Sequence, residues 1–468
     1  MTSQASNRRI AIGAQILQQS KFHFVGIGGI GMCGLAELLH KMGAQVSGSD
    51  LASNANTKRL QDMGIKIFQG HQAGNVGEVD VVVYSSAVKV DNPELIAASA
   101  QKIPLIPRAE ALAEIMRLHR GVAVAGSHGK TTTTSMAAAI FLEAKANPTI
   151  VVGGRLNLIQ STALLGTGDW LVAEADESDG SFNRLSPEIA VVTNIDSDHL
   201  DHFKSFANLQ AAFHAFALRV PFYGSVIVCG DDIVVQKVFA EFPKRVVRYG
   251  FGPDNEVQIR GERGHYELVD KRGKAPHSLG FFDVQVPGRH NALNATAAML
   301  AGLAAGFEFA VCAQGLARFE GVDRRFDLKG ESKGVLIYDD YGHHPTEVRA
   351  TLQAFKEKYP DRTLRVLFQP HRYSRTELCW TEFQDCFDLA DEVWLTDIYA
   401  AGEAPLPGVD GKTLTRSLSH KKASFLAKPT AQQPSLAQVL SPYLQSGDIF
   451  LTLGAGDVWK VGQELLDG

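Results

Sequence analysis

Short apolar runs alternate with stretches of helical period along most of the chain. FHFVGIG, AQVSGSD and DVVVYSS read as strands, and MCGLAELLHKMG, between the first two, reads as a helix. Further strands are expected at GVAVAG, DWLVAEAD, EIAVVTNID and GSVIVCG, with a hairpin at NEVQIRGERGHYELVD and a helix at NALNATAAMLAGLAAG. The last third carries GVLIYDDY, TLRVLFQP, DEVWLTDIY and DIFLTLGAG as strands. Among them lies the helical PTEVRATLQAFKEKY, whose Pro345 suits a first helical position. Alternation of this kind predicts α/β architecture, with parallel sheets and crossover helices. Ile103 to Arg120, with Pro104 and Pro107, reads as a connection, and GEAPLPGVDG as a loop. The expected domains are 1–115, 116–327 and 328–468.

The 468 residues agree with that count at about 150 per domain. Lys plus Arg is 46 against 51 Asp plus Glu, a net charge of -5, which argues against a dedicated nucleic-acid binder. Ala292 to Ala313 is the longest apolar-looking stretch, but Asn294, Thr296 and Glu308 interrupt it. It reads as a buried helix and turn rather than a membrane span. The first residues carry no signal-peptide pattern, and the five cysteines have no CxxC spacing. Reduced thiols and a cytoplasmic protein without membrane association are expected.

Two glycine-rich loops follow strands. In Gly26-Ile-Gly28-Gly29-Ile-Gly31, the backbone can approach a diphosphate at a helix N-terminus, with Asp50 at the end of the next strand as a ribose-binding acid. Alone, this loop fits a dinucleotide fingerprint. The second, Gly126-Ser127-His128-Gly129-Lys130-Thr131-Thr132, is a variant P-loop with Val124 where the usual motif has glycine. Its N–H groups face phosphates, Lys130 reaches the β/γ-phosphates and the Thr131 hydroxyl meets Mg²⁺.

The remaining chemistry sits at strand ends. Glu174, Asp176, Glu177 and Asp179 follow one strand, and Asn194, Asp196, Asp198 and His199 another; together they suit a hard cation. Gly288-Arg-His290-Asn291-Ala-Leu-Asn294 reads as a capped helix start, and Arg324-Arg325-Phe-Asp327 offers charge for a transferring phosphoryl group. In the last third, Asp339-Asp340-Tyr341-Gly-His343-His344 and His371-Arg372-Tyr-Ser-Arg375 form a cationic crevice suited to a carboxylate.

These motifs, in this order, resemble the Mur ligases over nearly the whole chain. The resemblance rests on VGIGGIGM, GSHGKTTTT, EADESDGSF, TNIDSDHLDHF, HNALNA, RRFD, YDDYGHHPTEV and QPHRYSRT. It implies a Rossmann-like first domain that holds a UDP-sugar rather than a dinucleotide, a central P-loop ATPase domain, and a Rossmann-like amino-acid-binding domain. By the same resemblance Gly28, Gly29, Ile30, Asp50, Ser85 and Ser86 face the UDP moiety, and the loop from Gly126 to Thr132 holds ATP. Thr131, Glu174 and His199 hold Mg²⁺, for which Mn²⁺ substitutes. His290, Asn291 and Asn294 serve the nucleotide, Arg325 the transferring phosphate, Asp340 the ribose, and His371, Arg372 and Arg375 the amino acid. Some members carry a carbamylated lysine after the His199-type residue. Phe206 to Gly224 contains no lysine and Lys204 lies too early, so carbamylation is not expected.

The implied reaction joins L-alanine to the lactyl carboxylate of UDP-N-acetylmuramate through an acyl phosphate, with closure of the domains assembling the site, in a monomer or weak homodimer. Three alternatives stand beside it. A tripeptide-recycling ligase shares DD-x-x-HHP but not the HRYSRT run. A nicotinamide-linked dehydrogenase explains only the first glycine loop, and a P-loop switch or nucleic-acid-stimulated ATPase only the second.

Overall fold

The computed structural model describes residues 13, 15–85, 87–430 and 432–468. It is α/β throughout, with three sheets. The first contains β1 (Lys21–Val25), β2 (Gln45–Asp50), β3 (Lys66–Gln69), β4 (Val81–Tyr84) and β5 (Leu105–Pro107) in the order β3-β2-β1-β4-β5, and every pairing is parallel. Sequence order reverses between β1 and β4, so the crevice at their C-terminal ends is where such sheets take ligands. The glycine-rich loop after β1 opens there, onto the helix Ile30–Lys41.

The second sheet is built from β6 (Arg120–Ala125), β7 (Thr149–Leu156), β8 (Ser161–Leu164), β9 (Trp170–Glu174), β10 (Ile189–Val192), β11 (Ser225–Cys229), β12 (Val246–Gly250), β13 (Val257–Glu262), β14 (His265–Asp270) and β15 (His277–Asp283). Its order is β15-β14-β13-β12-β11-β10-β6-β9-β7-β8. β6 lies between β10 and β9, parallel to both, so the P-loop leaves the sheet flanked by the two acidic strand ends. The third sheet comprises β16 (Asp327–Ser332), β17 (Val335–Asp340), β18 (Leu364–Phe368), β19 (Glu392–Leu395), β20 (Ala423–Phe425) and β21 (Ile449–Leu453) in the order β16-β17-β21-β18-β19-β20. Among its described residues, the edge strand β16 pairs antiparallel with β17 and the other strands pair in parallel.

By packing, the described residues form two compact units, one within 1–260, 266–283 and 293–320, the other within 261–265, 284–292 and 321–468. The first unit holds the first sheet and all of the second but the tip at residues 261–265, and the two sheets share one apolar core running from Phe24 and Leu38 through Ala113 to Leu171 and Phe213. Gly34 shows how closely they meet: a Cβ there would stand 2.7 Å from the Thr162 hydroxyl of β8. In the second unit, Val348, Leu352 and Phe355 of the helix Pro345–Lys358 pack with Val366, Phe368 and Leu451 of the third sheet.

The expected strands and the hairpin pair β13–β14 are present. Ile103 to Arg120 is more than a connection: it contains β5 and the helix Arg108–Met116. Ala292 to Ala313 falls on the helix Arg289–Ala304, a turn and the start of a second helix at Phe309. Among the described residues, no helix is long and apolar enough to cross a membrane.

Candidate active site

The P-loop turns out of β6 into the helix Lys130–Glu143, whose N-cap Gly129 sits at φ +79°, in the left-handed region open to glycine. A Cβ there would meet the Asn294 Oδ1 at 2.5 Å, which puts buried Asn294 directly against the loop. The end of β10 clamps the loop from the other side. The His128 N–H donates to Asn194 Oδ1 at 2.8 Å, while Asn194 Nδ2 and Thr193 Oγ1 donate to the His128 carbonyl at 2.9 and 2.6 Å. Ser127 Oγ accepts from the Asp196 N–H at 2.9 Å, and the His128 ring lies 3.0 Å from the Asp196 carboxylate. Thr132 is buried in the first helical turn.

Lys130 Nζ donates to the carbonyls of Gly126 (2.7 Å) and Ser127 (3.2 Å) and to Glu177 Oε1 (2.8 Å). Burial works against its charge, but Glu177, Asp176 and Glu174 outweigh that and hold the ammonium above its ordinary pKa. Burial pushes the Glu177 carboxyl up to about 7; the Asp176 charge adds to this and Lys130 opposes it. Glu177 Oε2 is buried without a hydrogen-bond partner.

Beside the ammonium, Thr131 Oγ1 donates to Glu174 Oε2 at 2.8 Å, and the same oxygen accepts the Gly153 N–H at 2.9 Å. His199 Nε2 lies 3.8 Å from Glu177 Oε1 and 3.6 Å from Asp198 Oδ2, with its backbone at φ +56° at the cap of the helix Leu200–Phe203. Thr131 is thus joined to Glu174, and Lys130 and His199 both meet Glu177. Hydroxyl, carboxylates and imidazole, with one buried carboxylate oxygen unsatisfied, form a donor set that fits Mg²⁺.

The first glycine loop is held by the end of β2. Gly28 N–H donates to Asp50 Oδ2 at 2.8 Å, and Asn54 and Asn56 donate to the Gly28 carbonyl. Gly29 caps the following helix, Ile30 is exposed at its start, and the Ser85 N–H bonds the Val25 carbonyl. Ser86 lies outside the described residues. Arg108 passes beside Gly31, where a Cβ would stand 3.1 Å from its Cδ, and reaches Asp176 at 3.1 Å. The first glycine loop and the acid cluster beside the P-loop are therefore linked by one arginine.

In the second unit, burial, helped by the Arg325 charge, drives the His290 pKa down to about 4, so the imidazole is neutral. Asn291 is buried and donates to the Pro287 carbonyl at 2.7 Å. Arg324 and Arg325 lie over the Tyr341 ring at 5.2 and 5.1 Å, and Arg325 approaches Glu347 at 3.4 Å. Asp340 accepts the N–H groups of Phe326 (2.7 Å) and Gly342 (2.8 Å), so it anchors the turn that carries Arg325. Burial raises its pKa to about 6 against the pull of Arg325. His371 stacks on Tyr399 with centroids 5.5 Å apart, and its Nδ1 lies 3.3 Å from the Arg375 guanidinium. His371, Arg372 and Arg375 therefore share one strand end, after β18.

Sequence reasoning missed four contributors as individuals. Glu177 and Asp176 were visible only as members of an acidic run, and Asn194 only as a strand-end residue. Arg108 followed Pro107 in what read as a connection, and nothing in its neighbours marks it.

Comparison with known proteins matches the chain in three consecutive parts. Residues 21–120 match the Mur ligase family, catalytic domain; 124–302 the Mur ligase middle domain; and 324–456 the Mur ligase, glutamate ligase domain. A UDP-N-acetylmuramate--L-alanine ligase of Bdellovibrio bacteriovorus is 63% identical, covering 96% of this chain and 99% of that protein. One from Oleidesulfovibrio alaskensis is 49% identical over 96% and 98%. The crystal structure of a UDP-N-acetylmuramate-alanine ligase from Thermotoga maritima matches with a TM-score of 0.79 at 28% identity, covering 96% and 99%. A murein peptide ligase from Psychrobacter arcticus, 23% identical with a TM-score of 0.72 over 96% and 98%, shares the fold. The dehydrogenase alternative has no support here. With the nucleotide loop, its flanking acids and all three consecutive domains matched, the chain belongs to the Mur ligase family.

Proposed function

We propose that this chain is an ATP-dependent ligase that joins L-alanine to the lactyl carboxylate of UDP-N-acetylmuramate, releasing ADP and phosphate. What carries the reading is Lys130 at the head of the helix that follows the glycine loop, beside the Thr131–Glu174 pair, in a chain 63% identical to a ligase of that name.

A carboxylate resists attack by an amine because oxide is a hopeless leaving group. Transfer of the ATP γ-phosphoryl group to the lactyl carboxylate gives an acyl phosphate and ADP. The neutral amine of L-alanine adds to its carbonyl, and the tetrahedral intermediate collapses to the amide and inorganic phosphate. Both reactants of the first step are anions, so positioning and charge compensation dominate.

Lys130 supplies a cation to the γ-phosphate from a loop fixed by Asn194 and Thr193. Thr131, Glu174 and His199 would hold Mg²⁺, which when bound offsets charge on the phosphates; Mn²⁺ suits the same donors. His290, Asn291 and Asn294 serve the nucleotide, Asp340 its ribose, and Arg325 the phosphoryl group in transfer. Gly28, Gly29, Ile30, Asp50, Ser85 and Ser86 face the UDP moiety. His371, Arg372 and Arg375 receive the α-carboxylate of L-alanine. The reaction belongs to the cytoplasm in this reading.

The test is acceptor-dependent phosphate release with UDP-N-acetylmuramate and ATP. L-alanine should support turnover, and oxygen label in the lactyl carboxylate should appear in phosphate. Turnover with a murein tripeptide but not L-alanine would assign the recycling reaction instead, and absence of label would overturn the acyl phosphate.

A further inference from the structure

Arg372 occupies a backbone conformation that side-chain-bearing residues avoid, with φ +68° and ψ +135°. Such a residue persists only where its surroundings over-determine it. Its N–H donates to the Tyr399 carbonyl at 2.8 Å, and its own carbonyl accepts from Thr376 Oγ1 at 2.8 Å. Its guanidinium Nε donates to Glu403 Oε1 at 2.5 Å. Glu403 lies in GEAPLPGVDG, whose composition marks only a loop.

Glu403 does more than pair with one arginine. Its Oε2 accepts the Ser374 N–H at 3.0 Å and its Oε1 accepts the Ser374 hydroxyl at 2.6 Å, so it also fixes the first turn of the helix Tyr373–Leu378. Its own N–H closes a turn on the Ala400 carbonyl at 3.0 Å. Tyr399, immediately before that turn, donates its N–H to the Pro370 carbonyl at 2.8 Å and stacks on His371. The segment from Tyr399 to Glu403 thus grips the His371–Arg372 strand end by backbone, ring and charge.

We propose that Glu403 is a positioning residue for the acceptor amino acid, fixing the direction from which the Arg372 guanidinium meets the acceptor's α-carboxylate. This rests on the reading of Arg372 as an acceptor-binding residue. A bidentate arginine–carboxylate contact depends on the orientation of the planar guanidinium, so an anchored Nε sets the contact angle. The carboxylate also offsets positive charge beside Arg375, easing the approach of the acceptor's amino group.

The experiment measures steady-state kinetics of Glu403→Gln, Glu403→Ala and Glu403→Asp with each substrate varied in turn. Losing a hydrogen bond between charged groups is expected to raise the KM for L-alanine by about tenfold or more in the Gln and Ala variants. The KM values for ATP and UDP-N-acetylmuramate should stay within about twofold, and Asp should recover part of the loss. In an Arg372→Ala background, Glu403→Gln should add no further increase. An unchanged KM for L-alanine in Glu403→Gln, a parallel rise for all three substrates, or additivity with Arg372→Ala would overturn the proposal. If the Ala variant does not fold, Gln, which keeps the size of the side chain, carries the test. A wild-type protein inactive with L-alanine would instead sink the proposed function.

Discussion

Lys130 Nζ lies 2.8 Å from Glu177 Oε1, while the other oxygen of that carboxylate is buried without a hydrogen bond. Burial, reinforced by the Asp176 charge, keeps the proton on this acid longer than in water, against the pull of Lys130. Its pKa of about 7 stands above the ordinary 4.5, so between those values the folded chain binds a proton that the unfolded chain releases. The contribution of Glu177 is therefore most favourable below 4.5 and is lost as pH rises through about 7, with a span on the order of 3 kcal/mol if it acted alone. Glu177→Gln should gain on the wild type as pH rises from about 5 to 8, read as the difference in urea midpoints. A constant gap would refute the assignment. Lys130→Ala should abolish phosphate release while leaving binding of the UDP-sugar largely intact.

Glu174 is held between Thr131 and Gly153. A Cβ at Gly153 would stand 2.7 Å from Glu174 Oε2. Gly153→Ala should therefore swing the carboxylate off the Thr131 hydroxyl without disturbing the core, because the obstacle is the tip of a mobile side chain. The Mg²⁺ concentration for half-maximal turnover should rise about tenfold, while stability changes by less than about 1 kcal/mol. An unaltered Mg²⁺ requirement would remove Glu174 from the proposed metal site.

Asn194 holds both backbone polar groups of His128. Asn194→Ala leaves that N–H without its partner, at a cost of about 1–3 kcal/mol, and loosens the loop that carries Lys130. The KM for ATP should rise by about tenfold and that for L-alanine should hold. Asn194→Asp keeps an acceptor for the N–H but sets a carboxylate against the His128 carbonyl, so its recovery should be partial. Equal effects on both substrates would make Asn194 a general stability residue.

The P-loop and its two acidic neighbours were legible because strand, glycine and lysine follow one another locally. Which acid turns inward was not. EADESDG offers Glu174, Asp176, Glu177 and Asp179 alike, and tertiary burial alone singles out Glu177, which is 1% exposed. Pro104 and Pro107 disguised β5 as a linker, yet it is an edge strand, where a missing N–H is tolerated. β16, DLKGES, is similarly hidden by its polar composition at the other kind of edge, antiparallel to β17. Glu403 had no local mark at all, since its role depends on a residue 31 positions away.

His290 offers the opposite pH behaviour from Glu177. Burial, with the Arg325 charge adding to it, lowers its pKa from 6.5 to about 4, against a smaller opposing effect of Glu347. Between those values the unfolded chain binds a proton that the folded chain refuses. Its contribution is complete above 6.5 and is lost as pH falls toward about 4, a span on the order of 3 kcal/mol if it acted alone. Asp340, in the same unit, shifts upward to about 6 and partly masks this, so the variant comparison matters more than the wild-type profile. His290→Gln should gain on the wild type as pH falls from about 7 to 5, judged by unfolding midpoints. Ring proton resonances give a direct reading: Arg325→Gln should move the His290 titration upward but leave it below 6.5, because burial is the larger cause. A wild-type imidazole titrating near 6.5 would mean that this ring is solvated and cationic at mildly acidic pH, contrary to its burial.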